Sequence, residues 1–458
     1  MKISELRGKR IHFIGIGGCS MSGLAMILKN LGYNVTGSDA KTSQFTAALE
    51  KNGIKPVIGQ DEKNVEGADV AVYTAAIKPY NPEFKKAKEM GIPMLERSVM
   101  LGMISEEFPK TVGIAGCHGK TTITSMLALL TEDSHLDPTV HVGGMVDWMG
   151  SGVRLGKGSL FITEACEYVR SFMTLHPSYI VINNIDDDHL DYFKDIDDIT
   201  NTFMDFADLL PEDGILFANP DDFYTKKVIE HCKRKVITYS VKGNGIYNSA
   251  DVTFDENGCP SYDVIKNGEN LGRITLGIPG MHNVQNSLAA IAVAHEVCGI
   301  SVEQCAQIMK HYHLAGRRFQ LMGEKDGVKI FHDYAHHPTE IKACLDGASR
   351  YPHKKLYVLF QCNSYTRAKT LKDKYALAFE KADVVMVPDI YPGRDIDKGE
   401  IHATDLVNAI NAHSHNCVYL PTFEDIKKYL QERWQPGDIV VTVGSGDVFK
   451  QQMILLED

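Results

Sequence analysis

No stretch of this 458-residue chain approaches the roughly 18 consecutive apolar residues that a membrane-spanning helix needs. The opening segment MKISELRGKR lacks the apolar core of a secretory signal, so neither export nor a membrane partner is expected. Basic residues are outnumbered: 48 Lys and Arg stand against 59 Asp and Glu, a net charge of -11. A general nucleic-acid binder needs a basic face, and this balance argues against one. The ten cysteines show no C-x-x-C spacing, which argues against zinc and against a disulfide framework and fits a reducing cytoplasm. Short-period repeats and low-complexity segments are missing too. What remains is an ordinary globular composition, 44% hydrophobic and 23% charged, long enough for two to four domains.

A further absence is local. In GIAGCHGKTT, residues 113–122, the strict phosphate-loop pattern G-x-x-x-x-G-K-[ST] would place its first glycine where Ile114 stands. A shorter loop is present instead: Gly116, Cys117, His118, Gly119, Lys120, Thr121 and Thr122. Its chemistry still suits a phosphate. Gly116 and Gly119 let backbone N–H groups curl toward an anion. Lys120 supplies a point charge, and Thr121 a hydroxyl for Mg2+. The β-branched run before the loop reads as a buried strand, and ITSMLALL after it as a helix whose N-terminus adds positive character. A plain strand–turn–helix with a surface lysine is the competing reading.

Three α/β units follow one another along the chain. The first opens with RIHFIGIGGCSMSGLA, a strand, a glycine turn at Gly15, Gly17 and Gly18, and a helix. Asp39 falls about where a ribose-binding acid follows a dinucleotide turn, although a tight turn with no ligand fits as well. Residues 104–111 read as the linker to the second unit. That unit begins at the phosphate loop, carries a turn-rich β-excursion over residues 242–273, and ends near residues 313–320. The third unit is a series of apolar strands ending in polar loops, as α/β sheets end where they bind ligands. The expected division is residues 1–106, 107–314 and 315–458.

Several strand ends carry candidate chemistry. Glu164 ends one strand, and His189 follows another together with Asp186, Asp187 and Asp188. Thr121 and Glu164 suit a hard divalent ion on ATP phosphates, and His189 a second. A helix cap or a solvated loop is the alternative in each case. His336-His337 is either an N-cap with a packed imidazole or a substrate site. Arg367 suits a carboxylate or phosphoryl group, and Arg318 at the domain boundary suits nucleotide phosphates. A solvated arginine and a structural ion pair are the alternatives.

Taken together and in order, these segments resemble the Mur ligases over essentially the whole chain. The resemblance rests on HFIGIGGCSMSGLA, GCHGKTT, EACEYVRSF, NIDDDHLDYF, GMHNVQNSLAAIAVA, GRRF, DYAHHPTEI, FQCNSYTRAK, DIYPGR and VGSGD. The family's own loop is a short G-x-[HN]-G-K-T-T, which residues 116–122 match. The resemblance implies a Rossmann-like N-terminal domain, a central phosphate-loop ATPase domain with a parallel sheet, and a Rossmann-like C-terminal domain. It implies ATP-driven joining of L-alanine to the lactyl carboxylate of UDP-N-acetylmuramate through an acyl phosphate, in peptidoglycan precursor synthesis, with ATP and Mg2+.

The same resemblance assigns roles. Gly15, Gly17, Gly18, Met21 and Asp39 match the UDP-sugar site. Lys120 and Thr121 match the phosphate and Mg2+ pair, Glu164 one magnesium ligand and His189 a ligand of the second. His282, Asn283 and Asn286 match the segment against adenine, and Arg318 an arginine on the phosphates. His337 and Arg367 match positions near the acyl group and the incoming amino acid. The chain departs from the family's common P-H-R-Y-T-R, with Asn363 for the histidine and Ser364 for one arginine, and from the basic residue before the paired arginines, which is Gly316. Glycine or L-serine thus stays open as acceptor, as does a peptide. A nucleotide-binding scaffold without catalysis and a NAD-dependent dehydrogenase are the readings from other classes. A monomer or weak homodimer is expected.

Overall fold

The structure is a computed structural model and describes residues 2–132, 134–312, 316–393 and 395–457. Among these residues the strands form three sheets, of five, ten and six strands. In the first, Arg10–Ile14 is central and pairs in parallel with Asn34–Asp39 and Val70–Tyr73; Val57–Ile58 and Met94–Glu96 form the edges. The central strand is buried from Ile11 to Ile14, with His12 bonded to Glu83 and Thr36, as strands inside a parallel sheet are. The helix Cys19–Asn30 leaves the glycine turn and buries Met21, Leu24 and Ile27.

Residues 104–111 are not a linker. The helix Arg97–Glu106 runs through Ile104, and the strand Lys110–Ala115 starts soon after, leaving only residues 107–109 between them. Packing explains the difference. Met100, Leu101 and Ile104 are buried, and Gly102 sits so close to Thr174 of the second unit that a Cβ would come within 2.2 Å of its carbonyl oxygen. The polar run that follows conceals a helix held by contacts from another domain. The expected boundary at residues 314 and 315 lies outside the described residues.

The ten-stranded sheet runs, in order, Glu269–Thr275, Pro260–Lys266, Tyr247–Phe254, Lys235–Ser240, Ile215–Ala218, Tyr179–Ile182, Lys110–Ala115, Leu160–Glu164, Thr139–Val146 and Ser151–Arg154. Its middle is parallel, and the β-excursion appears as an antiparallel meander over Tyr247–Phe254, Pro260–Lys266 and Glu269–Thr275. The chain leaves Lys110–Ala115 toward one edge and later returns on its other side at Tyr179–Ile182. That reversal of strand order opens a crevice at the carboxyl ends of the strands, where α/β sheets bind ligands. The third sheet, around Ile439–Val443, is parallel apart from its antiparallel edge strand Gln320–Lys325. The expected three-domain α/β architecture is the one observed. Among the described residues no helix is long and apolar enough to cross a membrane.

Candidate functional site at the junction of three domains

The phosphate loop closes the crevice of the central sheet. Gly119 caps the helix Lys120–Leu130 with φ of +88°, a conformation that a Cβ strongly disfavours. A Cβ there would also come within 2.5 Å of Asn286 Oδ1 and 2.7 Å of Asn183 Nδ2. Asparagines after the neighbouring strand clamp the loop: His118 N–H donates to Asn184 Oδ1 at 2.8 Å, and the Asn183 and Asn184 amides donate to the His118 carbonyl, each at 3.1 Å. Cys117 is buried, and burial pushes its thiol well above the ordinary range, so it is a packed residue of the loop rather than a reactive one.

Lys120 points back into the loop. Its Nζ donates to the Gly116 carbonyl at 2.5 Å and lies 3.0 Å from both carboxylate oxygens of Glu167. Burial alone would lower its pKa, but Glu167 more than offsets this and holds the ammonium above its ordinary value. Glu167 is only 1% exposed and also lies 3.8 Å from His189 Nε2. The registry places Glu164 beside Ile114, next to the loop. Its Oε1 accepts the Gly143 N–H at 2.6 Å, and the Thr121 hydroxyl also bonds to it. Burial raises the Glu164 pKa, and these neutral partners offset that only in part. A partly buried oxygen ligand of this kind beside a hydroxyl fits a hard divalent cation. His189, in the left-handed region with φ of +56°, turns its ring against Tyr168 with centroids 4.6 Å apart. Backbone in this region is found preferentially at functional sites.

The first domain reaches the same place. Cys19 Sγ at the start of its helix contacts the Gly143 carbonyl at 3.1 Å, and Ser20 Oγ lies 3.3 Å from His141 Nε2. The glycine turn beneath is tied by Asp39, whose Oδ2 accepts the Gly17 N–H at 2.8 Å. A Cβ on Gly17 would meet that carboxylate at 2.9 Å. Gly18 caps the helix and Gly15 turns with φ of +79°. Met21 is buried in the helix.

From the other side comes the C-terminal domain, and the aspartate run receives it. Lys374 Nζ lies 2.7 Å from Asp187 Oδ2, and Arg367 Nη2 lies 3.2 Å from Asp188 Oδ1. Asp186 accepts from Thr339 Oγ1 at 2.5 Å and from His118 Nε2 at 3.1 Å. Burial would raise the pKa of Asp188, but His189 and then Arg367 hold it below the usual carboxylate range. Of the two readings of the paired histidines, the cap is the one the structure displays. His337 is the N-cap of the helix Pro338–Ala348, fully buried, and its Nε2 donates to the Asp187 carbonyl at 3.1 Å. The helix Tyr365–Thr370 is capped by Ser364, whose φ is +84°, while Asn363 donates to Ser445 Oγ at 2.7 Å.

A cavity of about 510 Å³ opens beside the loop, a size suited to a small ligand. His118, Asn283, Asn286, His282 and Arg318 line it, with Phe223 and Tyr224. Arg318 stacks over Tyr334 at 5.5 Å, while the adjacent Arg317 turns away onto Phe449 at 4.2 Å. Lys120, Thr121, Glu164, His189, Arg318 and Arg367 thus converge, and Gly15, Gly17 and Gly18 form the adjoining turn, tied by Asp39 at a strand end, with Met21 buried in the helix that follows. Sequence reading missed Glu167, the asparagine pair 183–184 and Glu340, whose Oε1 lies 3.3 Å from His118 Nδ1. Glu167 stands three residues beyond Glu164, but nothing in that spacing indicates that it faces Lys120.

A three-layered crevice of this kind, with a phosphate loop at the meeting of three α/β domains, defines a nucleotide-dependent enzyme. The chain belongs to the Mur ligase family. Residues 10–109 match the family model of the Mur ligase family catalytic domain, residues 114–294 the Mur ligase middle domain, and residues 317–446 the Mur ligase glutamate ligase domain. Among similar proteins is the UDP-N-acetylmuramate–L-alanine ligase of Acetivibrio thermocellus, 44% identical over 98% of this chain and 96% of that protein. The protein of the same name from Caldanaerobacter subterraneus subsp. tengcongensis is 43% identical over 100% of this chain and 99% of its own length. A crystal structure of UDP-N-acetylmuramate–alanine ligase from Thermotoga maritima superposes with a TM-score of 0.80 at 24% identity, covering 98% of each chain.

Proposed function

We propose that this chain joins L-alanine to the lactyl carboxylate of UDP-N-acetylmuramate, driven by ATP, in peptidoglycan precursor synthesis. The observation that carries the reading is the convergence on one crevice of the Lys120–Thr121 loop, Glu164, His189 and the C-terminal arginine Arg367. Full-length relatives of that name at 43–44% identity support it. The division at residues 1–106, 107–314 and 315–458 gives each substrate its own domain: the UDP-sugar the first, ATP the second, the amino acid the third.

A carboxylate is a poor electrophile and must be activated before an amine can attack it. Transfer of the ATP γ-phosphoryl group to the lactyl carboxylate gives an acyl phosphate and ADP; the amine then attacks the acyl carbon and phosphate leaves. The first step brings two anions together, so the groups that meet the phosphates must be cations or N–H donors. Lys120 would meet the phosphates once it leaves Glu167, and Arg318 lines the cavity from the boundary of the third domain. Asn283 and Asn286 hold the wall against the base, with His282 exposed on it. Thr121 and Glu164 would hold one Mg2+ and His189 a second; bound there, the ions supply charge neutralisation for the phosphate oxygens. Glu167 keeps Lys120 folded into the loop until a phosphate competes for it. The seam formed by Asp186, Asp187 and Asp188 with Thr339, Lys374 and Arg367 shuts the third domain over the crevice, which orients the amine and keeps water from the acyl phosphate.

The direct test is the product. Incubation with ATP, Mg2+, UDP-N-acetylmuramate and L-alanine should give one new species, heavier than the UDP-sugar by an alanine residue, with one ADP formed per product. ADP without that species would move the acceptor, and neither would remove the reading.

A further inference from the structure

We propose that His118, His337 and Asp186 form a binding site for a soft divalent cation of the zinc class, on the seam between the phosphate loop and the C-terminal domain. The proposed magnesium ligands are different residues, Thr121, Glu164 and His189.

Three observations point to it. First, the donors lie close together. His118 Nε2 is 3.1 Å from Asp186 Oδ2, His337 Nδ1 is 3.4 Å from the same oxygen, and one ligand atom from each residue lies within 4.8 Å of the others. In a tetrahedral zinc site, bonds of about 2.0–2.1 Å to nitrogen put ligands roughly 3.3 Å apart. The two histidine–Asp186 distances already match this spacing, and the imidazoles have to draw together by at most about 1.5 Å.

Second, one outer nitrogen is already oriented as in a metal-bound histidine, and the other has a carboxylate within reach. A ligating imidazole presents one nitrogen to the metal and donates its other N–H to a carboxylate or backbone carbonyl. His118 Nδ1 is buried without a hydrogen-bond partner, and Glu340 Oε1 lies 3.3 Å away, close enough to take its N–H after a small turn of the ring. His337 Nε2 lies 3.1 Å from the Asp187 carbonyl, which leaves Nδ1 as the acceptor facing Asp186. One second partner, the Asp187 carbonyl, is therefore in place, and the other, Glu340, stands beside its ring from the opposite side of the seam.

Third, the surroundings favour a cation and the donor set chooses which. Asp186 and Glu340 bracket His118, with Asp187 and Asp188 beside them. Two imidazoles and one carboxylate suit zinc, cobalt or nickel, while magnesium prefers oxygen. His118 and Asp186 line the open cavity, which gives an ion its way in and leaves room for water as a fourth ligand. No cysteine is needed, so the lack of C-x-x-C spacing does not bear on this site.

An ion bound here must displace the proton that the two carboxylates hold on His118, and it loosens the 3.3 Å bond from Thr339 N–H to His337 Nδ1. It then ties residues 118 and 186 of the central domain to residue 337 of the third, pinning the seam shut.

The test uses the full chain stripped of metal, titrated calorimetrically with Zn2+ while millimolar Mg2+ fills the hard-cation sites, and with Co2+ followed by visible absorption. One Zn2+ should bind per chain with proton release, and Co2+ should give d–d bands without thiolate charge transfer. His118→Gln and His337→Gln should each weaken Zn2+ binding at least about 100-fold, and Glu340→Gln about 10-fold. His189→Gln should bind Zn2+ as the parent does. If His337→Gln does not fold, His118→Gln and the Co2+ spectrum of the parent still decide. Absence of saturable Zn2+ binding, a thiolate band, loss of the site in His189→Gln, or its survival in folded His118→Gln would each overturn the proposal.

Discussion

The ammonium of Lys120 and the carboxylate of Glu167 face each other at 3.0 Å, with Glu167 almost wholly buried. The lysine is thus already satisfied when no phosphate is near, and a nucleotide must compete with a carboxylate for it. Glu167→Gln removes that competitor. Nucleotide binding measured without Mg2+ should tighten about tenfold, which corresponds to ~1.4 kcal/mol, while the melting temperature falls because the ammonium loses its charged partner. Unchanged or weaker nucleotide binding in a folded variant would show that Glu167 does not compete.

Lys120→Ala should abolish turnover and leave UDP-sugar binding close to that of the parent, because the turn around Gly17 and Asp39 that we propose holds the sugar belongs to another domain. Calorimetry with UDP-N-acetylmuramate alongside an ADP-release assay separates the two effects. Near-normal turnover would remove the loop from the mechanism.

Gly119→Ala tests the loop's shape rather than its charge. The left-handed conformation costs a non-glycine residue about 1–2 kcal/mol, and the new methyl would meet the Asn286 and Asn183 side chains. ATP affinity should drop at least about tenfold with UDP-sugar affinity unchanged. Equal ATP affinity would mean that the loop relaxes without cost.

The Asp188–Arg367 pair joins the central and C-terminal domains at 3.2 Å. If closure depends on it, Asp188→Ala and Arg367→Ala should not add. A double-mutant cycle on kcat/KM should give a coupling of about 0.5–3 kcal/mol. Strict additivity would mean that the two residues act separately.

His118 sets a pH window. Burial acts to lower its pKa, but Asp186 and Glu340 raise it to about 10 from 6.5. A raised folded-state pKa contributes stability that is fully present below pH 6.5 and lost as pH rises through about 10. Asp186 and Glu340 are held low despite their burial, so their contribution is present above the ordinary carboxylate range and lost in acid. The melting-temperature difference between the parent and His118→Gln should therefore shrink between pH 6.5 and 10. A difference constant across that interval would contradict the ion-paired state of His118.

Much of this was legible in the sequence because it is local. The Gly116–Lys120 loop, Glu164 and His189 each end a strand whose apolar run is plain, and a parallel sheet then sets them side by side. What was not legible depends on contacts between distant segments. The helix Arg97–Glu106 was hidden because Gly102 and Ile104 are explained only by Thr174 and its neighbours. Glu167 gives no sign in its own segment that it faces Lys120. The role of His337 as a cap needed Pro338 and Glu340, which stand beside it in the sequence, but its bond to Asp187 spans 150 positions.

The central claim concerns the acceptor, and Asn363 and Ser364 are where this chain departs from the common family pattern. The measurement that tests it most directly is phosphate release with ATP, Mg2+ and UDP-N-acetylmuramate, with each amino acid added in turn. Release should appear with L-alanine and be far slower with glycine and L-serine. Release led by another amino acid, or none with any of them, would contradict the account.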